Sequence, residues 1–400
     1  MNILFSPPDI SDKEIEEVVD ALKSGWITTG PKTKQLEKNL QEYTQSKKTC
    51  CFNSATAALE CALRILGVNG KKDECITSAY TYTASCSVID HLDATIKLVD
   101  VQKDSYFMDY DKLYDSINEN TKAIIPVDIA GVPVDYDKIY EVIEAKKSIF
   151  RPSNEIQESL GRVALISDSA HALGSTYKGK KIGSFQDIAS FSFHAVKNFT
   201  TAEGGMLAIN IGDVDKIYND LQLFSLHGQN KDALAKTKLG AWEYDIKGLY
   251  YKYNMPDILA AIGLAQLERY DDLLARRKEI IKMYNDGFDN TSISYLNHFG
   301  KDYTSNGHLY LTRVEGINEE TRNDIIVKMA EKGIATNVHY KPIAMMTGYK
   351  NLGFDIKDYP NTFEQYKNEI TLPLHTLLSD DEVAYVIETY KDIVLSLIHI

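Results

Sequence analysis

The first stretch of the chain has a helical period. Ser11-Asp12-Lys13-Glu14 has the form of a capping box, and Ile15, Val18, Val19 and Leu22 then recur at helical spacing until Gly25 ends the run. Beyond it the pattern changes. Short apolar runs appear at ECIT (Glu74 to Thr77), TIKLV (Thr95 to Val99), AIIPV (Ala123 to Val127), VALI (Val163 to Ile166), IASFSF (Ile188 to Phe193) and MLAI (Met206 to Ile209). They alternate with helix-like stretches, which predicts an α/β fold with a mainly parallel sheet flanked by helices. Asn53 to Leu59 follows a further short strand and opens a helix with Leu59, Ala62, Leu63 and Leu66 on one face. A long helix is predicted from Pro256 through ILAAIGLAQL toward Arg276-Arg277, leading into a C-terminal α+β region. With 400 residues, the chain suits a large domain, residues 1–255, followed by a linking helix and small domain, residues 256–400.

Candidate chemistry lies where strands end. Ser190, Ser192 and His194 alternate with Phe191 and Phe193, so a half-buried strand runs up to Lys197, and Gly204-Gly205 turns the chain into MLAIN. A lysine at a strand end beside Thr200 and Thr201 is placed to form a Schiff base, although a loop lysine taken alone is ordinarily a solvated surface charge. Partners decide between the two. Asp168 follows VALI at the carboxyl end of a buried strand, where open α/β sheets bind ligands. An aspartate there pairs with a pyridinium nitrogen or, equally, caps the next helix. Small residues after Phe52 give a helix N-terminus able to bind phosphate, and Ser54 reads just as well as only its cap. Tyr82 can stack on a flat ring, but among 25 tyrosines packing is the default role for any one.

Composition narrows the class. A net charge of -13, from 44 basic and 57 acidic residues, argues against a broad nucleic-acid surface while leaving room for a local basic pocket. There is no run of 18 apolar residues, and MNILFSPPD lacks the basic and apolar regions of a secretory signal, so no membrane partner and a cytoplasmic location are expected. The cysteines at 50, 51, 61, 75 and 86 include no C-x-x-C and no histidine at ligand spacing. They are read as small buried hydrophobes, with no metal site and no disulfide framework.

SGWITTGP (Ser24 to Pro31), NSATAAL (Asn53 to Leu59), TKAIIPV (Thr121 to Val127), DSAHALGSTYKGKKIGS (Asp168 to Ser184), FSFHAVKNFTTAEGG (Phe191 to Gly205), YKYNMPDILAAIGLAQL (Tyr251 to Leu267) and LPLH (Leu372 to His375) occur in this order. Together they resemble the DegT/DnrJ/EryC1/StrS family of pyridoxal 5'-phosphate (PLP)-dependent sugar aminotransferases from about Ile3 to about Tyr390. The wording is closest to the UDP-4-amino-4-deoxy-L-arabinose and flagellin-sugar 4-aminotransferase branches. The resemblance implies an aspartate-aminotransferase-like, fold type I enzyme in which Lys197 carries the cofactor as a Schiff base and Asp168 pairs with the pyridine nitrogen. It places Tyr82 on the ring face, His171 near the phenolic oxygen, and Ala55, Thr56 and Ser192 at the phosphate. Asn254 would reach the phosphate of a neighbouring subunit's cofactor in a homodimer with shared sites. Thr29, in SGWITTGP, and the His339-Tyr340 pair fall on the substrate side.

Further implications are an amino-acid donor, L-glutamate by family habit, and a nucleotide-linked keto sugar as acceptor, with UDP and C4 following from those branches. A sugar dehydratase of the same fold would carry histidine in place of Lys197, and a non-catalytic regulatory relative would be expected to lose Lys197 or Asp168; both are present. One departure is EAKKSIFRPSNEIQESLGR (144–162), where relatives need only a helix end and turn. Its composition reads as a surface loop with a helical turn at Glu155 to Leu160.

Overall fold

The computed structural model describes residues 1–230 and 243–398. The apolar runs form strands where the pattern puts them. In chain order these are β1 (Lys48–Phe52), β2 (Glu74–Ser78), β3 (Thr95–Val99), β4 (Thr121–Ile125), β5 (Ala164–Asp168), the short β6 (Thr176–Tyr177) and β7 (Lys180–Lys181), β8 (Ile188–Ser192) and β9 (Gly205–Ile209). A seven-stranded sheet has the order β1-β9-β8-β5-β4-β2-β3. β8, β5, β4, β2 and β3 pair in parallel, and β9 alone is reversed, lying antiparallel to both β8 and β1. The connection, residues 193–204, holds no helix of the kind that usually carries a parallel crossover, and the chain turns back through Gly204-Gly205. Two apolar layers cover the sheet, one including Leu165, Phe191 and Phe193 and the other Leu59, Leu63, Ile166 and Leu207. All five cysteines are buried and unpaired.

The C-terminal part builds a second sheet from β10 (Ile293–Tyr295), β12 (Tyr310–Val314) and β13 (Glu369–Leu372), while β11 (Tyr303–Thr304) crosses over to pair with β6. Tyr284, Phe288, Tyr310, Ile370, Val386 and Tyr390 form its core. Ile3 joins them from the other end of the chain, its N–H donating to Gly333 O (2.7 Å) and its carbonyl accepting from Ala335 N–H (3.0 Å).

Three expectations are refined. The long helix is two helices, Asp257–Glu268 and Tyr270–Phe288, broken at Arg269. The break lets Arg269 donate to Glu14 Oε1 (2.8 Å) and Asp9 Oδ1 (2.9 Å) and sends Tyr270 into the core, bonded to Leu173 O (2.8 Å). Residues 144–162 are tied down more firmly than a loop: Glu155–Leu160 is a helix capped by Asn154 and closed by left-handed Gly161, and Asn154 Nδ2 donates to Ile65 O (2.7 Å). The capping box at Ser11 is present, but the described residues leave most of the apolar face it introduces uncovered, with Ile15 55% and Leu22 53% exposed.

The loop carrying Thr29 is pinned from a distance. Helix Pro31–Thr44 has glycine at its N-cap and no side-chain cap of its own. Buried Asp257 supplies one instead, accepting from the N–H groups of Gly30 (2.8 Å), Lys32 (3.0 Å) and Thr33 (2.9 Å) and from Thr33 Oγ1 (2.7 Å). Removing the carboxylate would orphan donors that a helix start cannot satisfy alone. Asp257→Ala is expected to cost about 3 kcal/mol. In urea unfolding the midpoint should fall with little change in m.

Candidate active site

Adjacent parallel strands bring the two key side chains together. Asp168 is the last residue of β5, opposite Ser190 of β8, and Lys197 lies in the turn that follows β8, its N–H bonded to His194 O (2.9 Å). Asp168 is buried; Ser85 Oγ donates to its Oδ2 (2.6 Å) and Ala170 N–H to its Oδ1 (3.2 Å). Burial raises its pKa above the ordinary carboxylate value, against the pull of these donors and of Lys197. Lys197 keeps some surface open to the cavity, yet the protein packed around it desolvates the ammonium and lowers its pKa to about 8, with Asp168 pulling the other way. Its amine is therefore far more available as a nucleophile than that of a surface lysine.

The second element is an amide cradle. Helix Ala55–Ile65 is capped by Ser54, whose Oγ accepts from Ala57 N–H (3.1 Å). The earlier amides, of Ala55 and Thr56, have no acceptor within the helix. Ser192, at the end of β8, and Gly204 line the same corner. Gly205 is needed there for close approach: a Cβ on it would lie 2.3 Å from the Ala55 nitrogen. A helix start with free amides and flanking hydroxyls suits a phosphate dianion.

The opposite wall is aromatic. Ala130 N–H donates to His171 Nδ1 (3.2 Å), so the neutral ring carries its proton on Nε2, which faces Tyr340 Oη at 3.1 Å. Burial and the nearby Lys197 charge hold His171 well below its ordinary pKa. His308 packs against it with ring centroids 4.3 Å apart and the planes tilted by 48°. Tyr82 stands at the rim, 60% exposed, 5.7 Å between ring centroids from Tyr340.

One cavity of about 400 Å³ gathers Ala55, Thr56, Tyr82, Asp168, His171, Ser192, Lys197, His339 and Tyr340. Asn254 and Thr29 are not in it. They bond to each other, Asn254 Nδ2 donating to Thr29 Oγ1 (2.6 Å), while Thr29 Oγ1 donates to Met255 O (2.7 Å) and Lys252 Nζ meets Asn254 Oδ1. Sequence reading missed Ser85, His308 and Phe5. Ser85 had a signal, since it lies in the same TSAYTYTAS stretch as Tyr82; His308 and Phe5 had none, being brought in by tertiary packing.

These residues fit PLP. A phosphate arm would find the amide cradle, a pyridine nitrogen a buried carboxylate, and an aldehyde a buried amine of lowered pKa. The volume lies within the range of small-molecule sites.

The family model for the DegT/DnrJ/EryC1/StrS aminotransferase family matches residues 8–391. SpsC of Bacillus subtilis, a spore coat polysaccharide biosynthesis protein, is 36% identical over 397 residues, covering 98% of this chain and 96% of its own length. Spr1654 of Streptococcus pneumoniae, described as a sugar aminotransferase, superposes in its PLP form with a TM-score of 0.96 and 54% identity, covering 99% of this chain and 100% of that one. Its PMP form has the same TM-score, at 56% identity. PseC of Helicobacter pylori, an aminotransferase involved in the biosynthesis of pseudoaminic acid, follows at 0.87 and 29% identity, covering 99% of this chain and 100% of that one. The chain belongs to the DegT/DnrJ/EryC1/StrS aminotransferase family, and is a PLP-dependent enzyme of fold type I.

Proposed function

We propose that this sugar aminotransferase moves the amino group of an amino acid, L-glutamate, to a nucleotide-linked keto sugar, a UDP-4-keto sugar, in aminosugar or cell-surface polysaccharide biosynthesis. The observation that carries the reading is the meeting of Lys197 and Asp168 in one cavity beside the free amides of Ala55 and Thr56. The sugar-related names of SpsC, Spr1654 and PseC support the acceptor class.

Bound PLP supplies an electron sink that acidifies the bond to be broken. The residues around it do the rest. Lys197 would anchor the cofactor through its amine, and the same amine, when free, would hold and move a proton at Nζ. Asp168, kept in place by Ser85, holds the pyridine nitrogen protonated. Ala55, Thr56 and Ser192 fix the phosphate, Tyr82 covers the ring face, and His171 donates from Nε2 toward the ring's phenolic oxygen or Tyr340. Thr29, His339 and Tyr340 contact the sugar nucleotide. Residues 1–255 serve as the cofactor domain, with residues 256–400 as linking helix and small domain.

The working unit in this reading is a homodimer with shared sites. Asn254 and Thr29 lie outside the cavity of their own subunit, as residues serving a partner's site would, and Ile15, Leu22 and Leu249 (97% exposed) offer apolar surface for a second subunit to cover. The reading places the enzyme in the cytoplasm; among the described residues no helix is long and apolar enough to cross a membrane.

Four sets of outcomes test it. Borohydride reduction of the PLP-loaded protein should place the pyridoxyl group on Lys197 by peptide mapping, and Lys197→Ala should lose turnover by several orders of magnitude. Because the ammonium must lose its proton before it can attack, capture of PLP by apoprotein should quicken as pH rises through about 8 and slow below it, as followed by stopped-flow absorbance. Glutamate should convert the bound cofactor to its amine form and a UDP-4-keto sugar should restore it. Faster use of an ordinary keto acid than of any keto sugar would refute the acceptor class. Finally, mixing inactive Lys197→Ala subunits with inactive Asn254→Ala subunits should restore part of the activity, since one site of each hybrid dimer then has both residues; no recovery after proven subunit exchange would exclude sharing.

A further inference from the structure

Behind His339 lies a buried carboxylate that the proposed chemistry does not use. Glu369, in β13, is fully buried, and its two oxygens are bonded separately: Oε2 accepts from His339 N–H (2.8 Å) and Oε1 lies 2.5 Å from Thr371 Oγ1. Thr371 Oγ1 is in turn 2.9 Å from His339 Nδ1. Glu369 and Thr371 share one face of β13, which is why, two residues apart, they meet the same residue, Thr371 at the His339 ring and Glu369 at its backbone N–H. The far nitrogen of that ring, Nε2, is bonded to no other described residue, and His339 lines the cavity that holds Lys197.

We infer that Glu369, Thr371 and His339 form a proton relay opening on the cavity, with Glu369 as a positioning residue that sets whether His339 Nε2 accepts or donates. A threonine hydroxyl has one proton, so the direction of the chain is all or none. With Glu369 ionised, Thr371 donates to Oε1, His339 donates from Nδ1 to Oγ1, and Nε2 presents a lone pair. When a proton arrives at Nε2, the Nδ1 proton passes to Oγ1 and the threonine proton to Oε1. Glu369 is then neutral, the two bonds through Thr371 Oγ1 run the other way, and Nε2 presents an N–H. The ring is neutral before and after, and one proton has moved from cavity to Glu369.

The surroundings allow both states. Burial raises the Glu369 pKa to about 8, against the Thr371 and His339 N–H bonds and the charge of Arg322, whose Nη1 lies 3.3 Å from the Glu369 carbonyl. The phenols of Tyr80, Tyr106, Tyr340 and Tyr390 are near enough to feel Glu369, and burial pushes each above its ordinary pKa, so they stay neutral. Arg313 stands opposite Glu369 on β12 but donates from Nε to Asn368 Oδ1 (2.9 Å). Burial and the Lys197 charge hold His339 down at about 3, so a change at its nitrogens around neutrality is a change of tautomer and not ring protonation. Such a relay suits a keto acceptor, whose oxygen must gain protons to leave as water. That use rests on the proposed transamination, whereas the tautomer change itself does not.

The test is nitrogen NMR of histidine-labelled, PLP-loaded enzyme without substrate, with the His339 signals assigned by their loss in His339→Gln. In the unsubstituted protein the Nδ1 and Nε2 signals should exchange character as pH rises through about 8, from Nε2–H below to Nδ1–H above. In Glu369→Gln the side-chain oxygen must face the His339 N–H, so the amide donates to Thr371 and the ring is locked as Nε2–H at every pH. Thr371→Val should also abolish the exchange while leaving the carboxylate in place, and it serves alone if Glu369→Gln does not fold. Exchange that persists in either variant, or is missing from the unsubstituted protein, overturns the relay. Because no sugar is present, a wrong acceptor class would leave these signals unaffected.

Discussion

Everything at this site depends on keeping opposite charges where burial opposes both. The Asp168 carboxylate and the Lys197 amine are each penalised by the surrounding protein, and each is the other's principal charged neighbour. A buried charge left uncompensated is costly, so each group offsets part of the other's desolvation, and hydrogen bonds to the carboxylate offset more. The sheet meets this requirement by topology. β5 and β8 are parallel neighbours, so their carboxyl ends coincide, and one supplies the acid and the other the turn that carries the amine. Ser85 and the Ala170 N–H then satisfy the carboxylate in a fixed orientation.

The same neighbourhood forces the local sequence. β9 returns antiparallel beside β8, and its first residue runs against the start of helix Ala55–Ile65, so closely that only glycine fits at position 205. That contact places the helix amides beside Ser192. Phosphate cradle, acid and amine are thus consequences of three adjacent strands, and a change in strand order would scatter them.

This explains what the sequence made legible. Local pattern located all of the central strands and, through their ends, Asp168 and Lys197. Ser54 is a helix cap, and that is compatible with a cradle, because capping uses the Ala57 amide and leaves those of Ala55 and Thr56. What periodicity could not show is where apolar faces go. Ile15 and Leu22 keep perfect helical spacing and still face outward. Nor could it show the break at Arg269, since the pattern through Asp257–Glu268 continues smoothly while Asp9 and Glu14, far away in the chain, decide the fate of the guanidinium.

The cavity has two walls of different origin, and this divides its chemistry. The sheet supplies Asp168, Lys197 and the amides, while His308, His339 and Tyr340 come from the C-terminal part of the chain. Direct bonds stitch the two: Tyr80 Oη donates to His339 O (2.7 Å), and Asn198 binds both His308 Nδ1 (3.0 Å) and Asn306 O (2.9 Å). Asn198 is next to Lys197, so the turn that carries the amine is itself held by the far wall. A shift of the C-terminal unit would therefore move the amine as well as the histidines.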